Sequence, residues 1–91
     1  MAQNDLAGEA DTVLREILRD VLGLGEDQVA GFEGDTGLFG SLPELDSMAV
    51  AGLLTEIEDR LHIVIDDDEV DGELLETYGN LLNFVEAKRA A

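Results

Sequence analysis

Ser47 stands in the run Leu45-Asp46-Ser47-Met48, just ahead of an apolar stripe, and a serine at a helix start is either a cap or a reactive hydroxyl. Nucleophilic catalysis needs a base within hydrogen-bond reach, and the one histidine of the chain is His62. If residues 47–61 are helical, a rise of about 1.5 Å per residue puts His62 more than about 20 Å away along the axis. Ser47 therefore has no base of its own. That argues against self-contained acyl-transfer chemistry and leaves a hydroxyl that a second enzyme can modify, at a loop-to-helix junction open to its approach. His62 reads as a solvated or core-edge residue at the end of its helix, and one histidine makes a poor metal site.

A rival lies in the acidic run, where Asp67, Glu69, Asp71, Gly72 and Leu74 fall at positions 1, 3, 5, 6 and 8 of an EF-hand calcium loop. Position 12, which needs a bidentate glutamate, is Tyr78, and position 9 is Leu75. These carboxylates read better as anions in the first turn of a short helix, where the dipole favours them. No metal is expected, and a calcium-responsive protein stays as an alternative, as does an acidic interaction domain.

The elements that must hold Ser47 follow from apolar spacing. Leu6, Ala10, Val13, Leu14, Ile17, Leu18, Val21 and Leu22 recur every three or four positions and predict a first helix over residues 6–22, stopped by Gly23 and Gly25. Residues 24–46 carry Gly31, Gly34, Gly37, Gly40 and the single proline, Pro43, and read as a long connection. A structureless stretch of that length is unusual, so Val29, Phe32, Leu38, Phe39 and Leu42 are expected to pin it across the helices. A second helix starts at Asp46 or Ser47, either of which can cap it, with Val50, Leu53, Leu54, Ile57 and Leu61 inward. Ile63-Val64-Ile65 reads as an extended connector. Asp66 to Glu69 cap a short third helix near residues 70–76, and a last helix over about 77–88 turns Tyr78, Leu81, Leu82 and Val85 inward and ends in Lys88 and Arg89. The fold class is all-α: a four-helix bundle with a short third helix and a long first loop.

With 91 residues, 45% of them apolar, the chain suits one domain, core about 6–87 within 1–91, with a modest core. No cysteine is present, so there is no thiolate nucleophile, disulfide or cysteine metal site. Twenty-two Asp and Glu against five Lys and Arg give a net charge of −17, which repels nucleic-acid phosphates and anionic lipid surfaces. Basic protein surfaces are the expected partners. The start Met1-Ala2-Gln3-Asn4-Asp5 lacks a signal-peptide pattern and no run approaches a membrane span. A soluble cytoplasmic monomer without membrane insertion is expected.

Asp46-Ser47-Met48 resembles the Asp-Ser-Leu motif of acyl carrier proteins. The order around it is similar too: an amphipathic helix, a long glycine-containing loop, the serine in the second helix's first turn, then Ile57-Glu58-Asp59-Arg60-Leu61 and Ile63-Val64-Ile65-Asp66-Asp67-Asp68-Glu69. The resemblance implies a covalent 4′-phosphopantetheine, received from coenzyme A on Ser47 through a magnesium-dependent phosphopantetheinyl transferase, whose thiol carries acyl groups as thioesters. It implies a non-catalytic phosphoprotein of fatty acid or lipid biosynthesis, served by acyl-transferring or acyl-activating enzymes with basic docking surfaces. Asp46 would orient the transferase or its metal, and Met48 flanks the arm. Leu42, Met48, Leu53 and Leu54 would admit an acyl chain between helices. An aminoacyl or peptidyl carrier is the alternative within the same chemistry. Typical members have a glycine two residues before the aspartate and acidic residues on the second helix's first exposed turns, where this chain has Glu44, Ala49 and Gly52. Its loop is also longer, at Gly40-Ser41-Leu42-Pro43-Glu44. These departures point to a specialised carrier, similar to the acyl carrier proteins found with exosortase and exopolysaccharide systems.

Overall fold

Charged and apolar residues alternate with helical period in the first part of the chain, and this places Ala10, Leu14, Ile17, Leu18 and Leu22 on one face. In the computed structural model, which describes residues 5–90 and the side chains of residues 8–90, that face is buried on α1 (Asp5–Leu22). The side chain of Leu6, and residues 1–4 on which the reading of the leader rests, lie outside the described part. Gly23 turns the chain with φ +71°, a conformation that glycine adopts without a Cβ penalty, and Leu24 N–H closes the helix on the Arg19 carbonyl at 3.1 Å.

A short α2 (Glu26–Ala30) sits where only connection was expected, with Val29 as its buried residue. Five residues cannot hold a helix by themselves. Tertiary contacts hold this one: Arg15 of α1 donates to the carbonyls of Val29 and Phe32, the second at 3.0 Å. Beyond it, Phe32, Leu38 and Leu45 are buried and Leu42 is half-buried, so the loop is pinned as expected except at Phe39, which is 45% exposed.

That loop is laced to the chain ahead of the last helix, α4 (Tyr78–Ala90). Leu38 and Phe39 N–H donate to the Glu76 and Leu75 carbonyls, and Tyr78 and Gly79 N–H donate to the Thr36 and Gly34 carbonyls, all at 2.9 Å. Gly79 is required by this lacing, since a Cβ there would lie 2.6 Å from the Gly34 carbonyl oxygen. Gly79→Ala is expected to destabilise the fold by about 2 kcal/mol, read as a lower denaturation midpoint with an unchanged slope.

The central helix, α3 (Ser47–Leu61), buries Leu53, Ile57 and Leu61. It ends at His62, which takes a left-handed conformation with φ 56° and donates its N–H to the Glu58 carbonyl. A glycine relieves the Cβ strain of that conformation, so His62→Gly is expected to stabilise the protein by about 0.5–1 kcal/mol, visible as a higher Tm. Ile63 then goes inward, Val64 outward and Ile65 half inward, the alternation of extended chain. Glu58 fixes this connector to α3 by accepting the Ile65 N–H at 2.7 Å.

The short third member is a 3₁₀ turn, Asp67–Glu69, and residues 72–76 form turns rather than the helix expected near 70–76. There the carbonyls of Leu75 and Glu76 are taken by the long loop, and the Leu74 N–H is taken by the Asp71 side chain at 2.9 Å. Helical pairing within the segment loses to these tertiary and local bonds. Thr77 caps α4 by accepting the Asn80 N–H at 3.1 Å, and α4 buries Tyr78, Leu81 and Val85. Helix α1 packs against α3, α2 and α4. The result is the all-α bundle expected from the sequence.

Candidate functional site

The start of α3 decides what Ser47 is free to do. Leu45 is buried and anchors the chain, Asp46 follows in an extended conformation (φ −102°, ψ −177°), and its carbonyl accepts the first helical bond from Val50 N–H at 3.0 Å. Asp46 Oδ1 accepts the Ala49 N–H at 2.8 Å, so Asp46 is the cap. Ser47 is the first helical residue, exposed, and its hydroxyl has no hydrogen-bond partner among the described residues. The choice between Asp46 and Ser47 that the sequence left open is thereby made, and it leaves Ser47 with an idle hydroxyl.

Two grooves meet at that hydroxyl. One, of about 480 Å³, runs between α3 and the connector and is lined by Ser47, Val50, Leu54, Glu58, Ile65 and Val70 among others. The other, of about 340 Å³, lies toward the long loop and is lined by Phe39, Ser47, Val50, Val70, Gly72 and Leu75 among others. Of the four residues expected to admit an acyl chain, Leu54 lines a groove. Leu53 is fully buried in the core, Leu42 is half-buried beside it, and Met48 is 85% exposed, lining neither groove. Phe39, Ile65 and Val70 take their place. The signal for Phe39 was a large apolar residue between Gly37 and Gly40, at a loop position that a core pin also explains.

His62, at the far end of α3, is exposed, so the structure does not bring its imidazole to Ser47. The acidic run is spent locally. Glu69 binds Lys88 at 2.7 Å and accepts the Asp66 N–H at 2.9 Å, and Asp71 holds Leu74 N–H. Lys88, then the Asp66 amide, holds the Glu69 carboxyl below the usual carboxylate range. Among the described residues no three His, Cys, Asp or Glu side chains are placed to hold a metal ion.

Each of the five cations is paired: Arg15 with Asp11, Arg19 with Asp20 and Glu26, Arg60 with Asp20 and Glu56, Lys88 with Glu69 and Arg89 with Glu9. None of them lines either groove at Ser47. The excess negative charge is left facing solvent, where it can steer a basic partner.

Residues 12–85 match the family model described as phosphopantetheine attachment site. The chain belongs to this phosphopantetheine attachment family. Its fold is similar to that of a holo acyl carrier protein from Nitrosomonas europaea, solved in solution by NMR, with a TM-score of 0.80 and 39% identity over 96% of this chain and 98% of that one. No curated protein matches the chain. For a phosphopantetheine attachment domain the residues at Ser47 fit the group: an exposed, unbonded serine hydroxyl at a helix start, where two grooves of mixed apolar and acidic lining meet. Among the described residues no helix is long and apolar enough to cross a membrane.

Proposed function

We propose that Ser47 is the residue that bears the 4′-phosphopantetheine arm, and that a phosphopantetheinyl transferase loads it from coenzyme A. The chain is an acyl carrier protein, a class that is generally not catalytic. When attached, the arm supplies the thiol that this cysteine-free chain lacks, and acyl groups ride on it as thioesters. The observation that carries the assignment to Ser47 is the division of labour at the helix start: Asp46 caps α3, and the neighbouring hydroxyl is left exposed and unbonded. The base and the magnesium ion that the transfer needs come from the transferase, since the chain's one histidine lies at the far end of α3. The Asp46 carboxylate, engaged through Oδ1 alone, has its other oxygen open to the transferase's metal.

The arm's cargo lies along the grooves lined by Val50, Leu54, Ile65 and Val70 on one side and by Phe39 and Leu75 on the other. Acyl-handling enzymes with basic surfaces are drawn to the acidic exterior, and the carrier works in the cytoplasm, within reach of coenzyme A. Incubating the full chain with coenzyme A and a broad-specificity phosphopantetheinyl transferase is expected to add the mass of one arm. A folded chain that gains no mass would refute the reading.

A further inference from the structure

The stretch from Asp66 to Glu73 has no buried side chain, and its one bulky apolar residue, Val70, is half-buried against the core. It is nonetheless the wall that the two grooves at Ser47 share. Asp67 and Val70 line the first groove, and Val70, Asp71 and Gly72 line the second. A segment with so little burial opens at low free energy unless something else holds it. It also carries a run of carboxylates, Asp66-Asp67-Asp68-Glu69, which repel one another.

The two ends of the stretch are fixed by the chain on either side. Glu58 accepts the Ile65 N–H before it, and Asn80 Nδ2 donates to the Glu73 carbonyl at 2.9 Å, just ahead of the buried Leu74 and Leu75. Between those points, among the described residues, the one polar side chain that reaches in from another helix is Lys88 of α4. Its ammonium lies 2.7 Å from Glu69 Oε1, within the field of Asp66 and Asp68. Both partners are set in place beforehand. Glu69 accepts the Asp66 N–H at 2.9 Å, and Lys88 lies over the Phe84 ring, 5.7 Å from its centroid. An ion pair between side chains already ordered loses little freedom on forming, and with side chains 24% and 32% exposed this one is partly shielded from solvent. Arg60, by contrast, joins α3 to α1, two helices already packed together.

We propose that Lys88 is a positioning residue for the cargo: through Glu69 it holds the wall at residues 66–73 in place and so keeps water from a thioester lying in the grooves. The proposal rests on Ser47 bearing the arm with its cargo along these grooves. Lys88 itself touches neither the arm nor the acyl group. It sets the fraction of time for which the wall stands closed, and when the wall is open water can add to the thioester carbonyl and release the thiol and the free acid.

The test is the hydrolysis rate of an octanoyl thioester carried by the full chain, loaded from octanoyl-coenzyme A by a broad-specificity transferase, with Tm and amide hydrogen exchange measured on each variant. Lys88→Met and Glu69→Gln are each expected to speed hydrolysis about threefold, and the double variant no more than either alone. Glutamine keeps an acceptor for the Asp66 N–H, so that variant removes the ion pair and spares the turn. Exchange of the amides at residues 66–73 is expected to quicken in step while α1 and α3 stay as in the native chain. Tm is expected to fall by less than about 5 °C, which sets global unfolding aside. Loss of a cation by itself would lower the local concentration of hydroxide and slow the reaction, so a faster one reports the wall. Arg60→Met, which removes ion pairs away from both grooves, is expected to leave hydrolysis at the native rate. Native rates in Lys88→Met and Glu69→Gln, or an equal acceleration in Arg60→Met, would overturn the inference while leaving Ser47 as the attachment residue. A native chain that accepts no arm would overturn both.

Discussion

Ser47→Ala is expected to yield a chain that folds as the native one does and never acquires an arm. The two halves of that result have separate causes. Folding is untouched because the Ser47 hydroxyl bonds to nothing described, the cap comes from Asp46, and alanine is the better helix former at an exposed position. Tm should stay within about 4 °C of native, since a surface change of this kind is worth about 0.5 kcal/mol or less. Loss of loading should be complete, because the hydroxyl where the two grooves meet is gone and Thr55, on one groove, has its hydroxyl proton on the Ala51 carbonyl. Intact mass after incubation with transferase and coenzyme A checks it. A mass gain on the alanine variant would move the attachment to another hydroxyl.

Arg15→Ala is expected to be the most damaging single truncation of a charged residue. Arg15 lies on α1 with its side chain 23% exposed, and it joins three helices. It donates to Val29 O and to Phe32 O at 3.0 Å, binds Asp11 at 2.9 Å, and lies over the Tyr78 ring at 4.8 Å from the centroid. Tyr78 in turn donates to Asp11 Oδ1 at 2.5 Å, and its ring lies 5.7 Å from that of Phe32. Burial, and then Asp11, hold the Tyr78 hydroxyl well above its usual range, so it remains a donor at neutral pH. Without Arg15 the end of α2 loses the donors to both carbonyls, and a five-residue helix is then left with the burial of Val29 and the Arg19–Glu26 pair. Hydrogen bonds from a charged donor contribute about 1.5–3 kcal/mol each when buried, and partial exposure here brings the total to about 3 kcal/mol. For a domain of this size that is a fall in Tm of about 15 °C. Arg15→Lys should recover only part of the loss, since an ammonium on a flexible stem cannot hold the planar fork that spans Val29, Phe32 and Asp11. An Arg15→Ala Tm within a few degrees of native would show that the α2 contacts contribute little.

The three long helices were legible because each carries its burial in its own period. Leu14, Ile17 and Leu18 on α1, Leu53, Ile57 and Leu61 on α3, and Leu81 and Val85 on α4 need no knowledge of what they pack against. The extended connector was legible from the β-branched run Ile63-Val64-Ile65 with no partner strand in the sequence, and the structure adds which of the three turns outward, Val64. Short elements were not. Helix α2 has one buried residue, Val29, and so no period to read, and it exists because Arg15 reaches across from α1. Residues 70–76 carry Val70, Leu74 and Leu75 at spacings that suit a helix, but the carbonyls of Leu75 and Glu76 bond the long loop instead. Gly79 is explained only by the fold, which presses the Gly34 carbonyl against it.

For the site, the sequence by itself determined that a serine stands at the start of an amphipathic helix, that the chain's one histidine lies too far along that helix to activate it, and that the molecule is strongly acidic. These follow from residue types and from the rise of a helix, which act over a few positions of chain. Only the tertiary structure decided that Asp46 rather than Ser47 caps α3, because the buried Leu45 fixes where the chain turns from extended to helical. It alone placed Phe39, Ile65 and Val70 around the serine. Those positions are set by what packs from distant parts of the chain, and no local spacing records it.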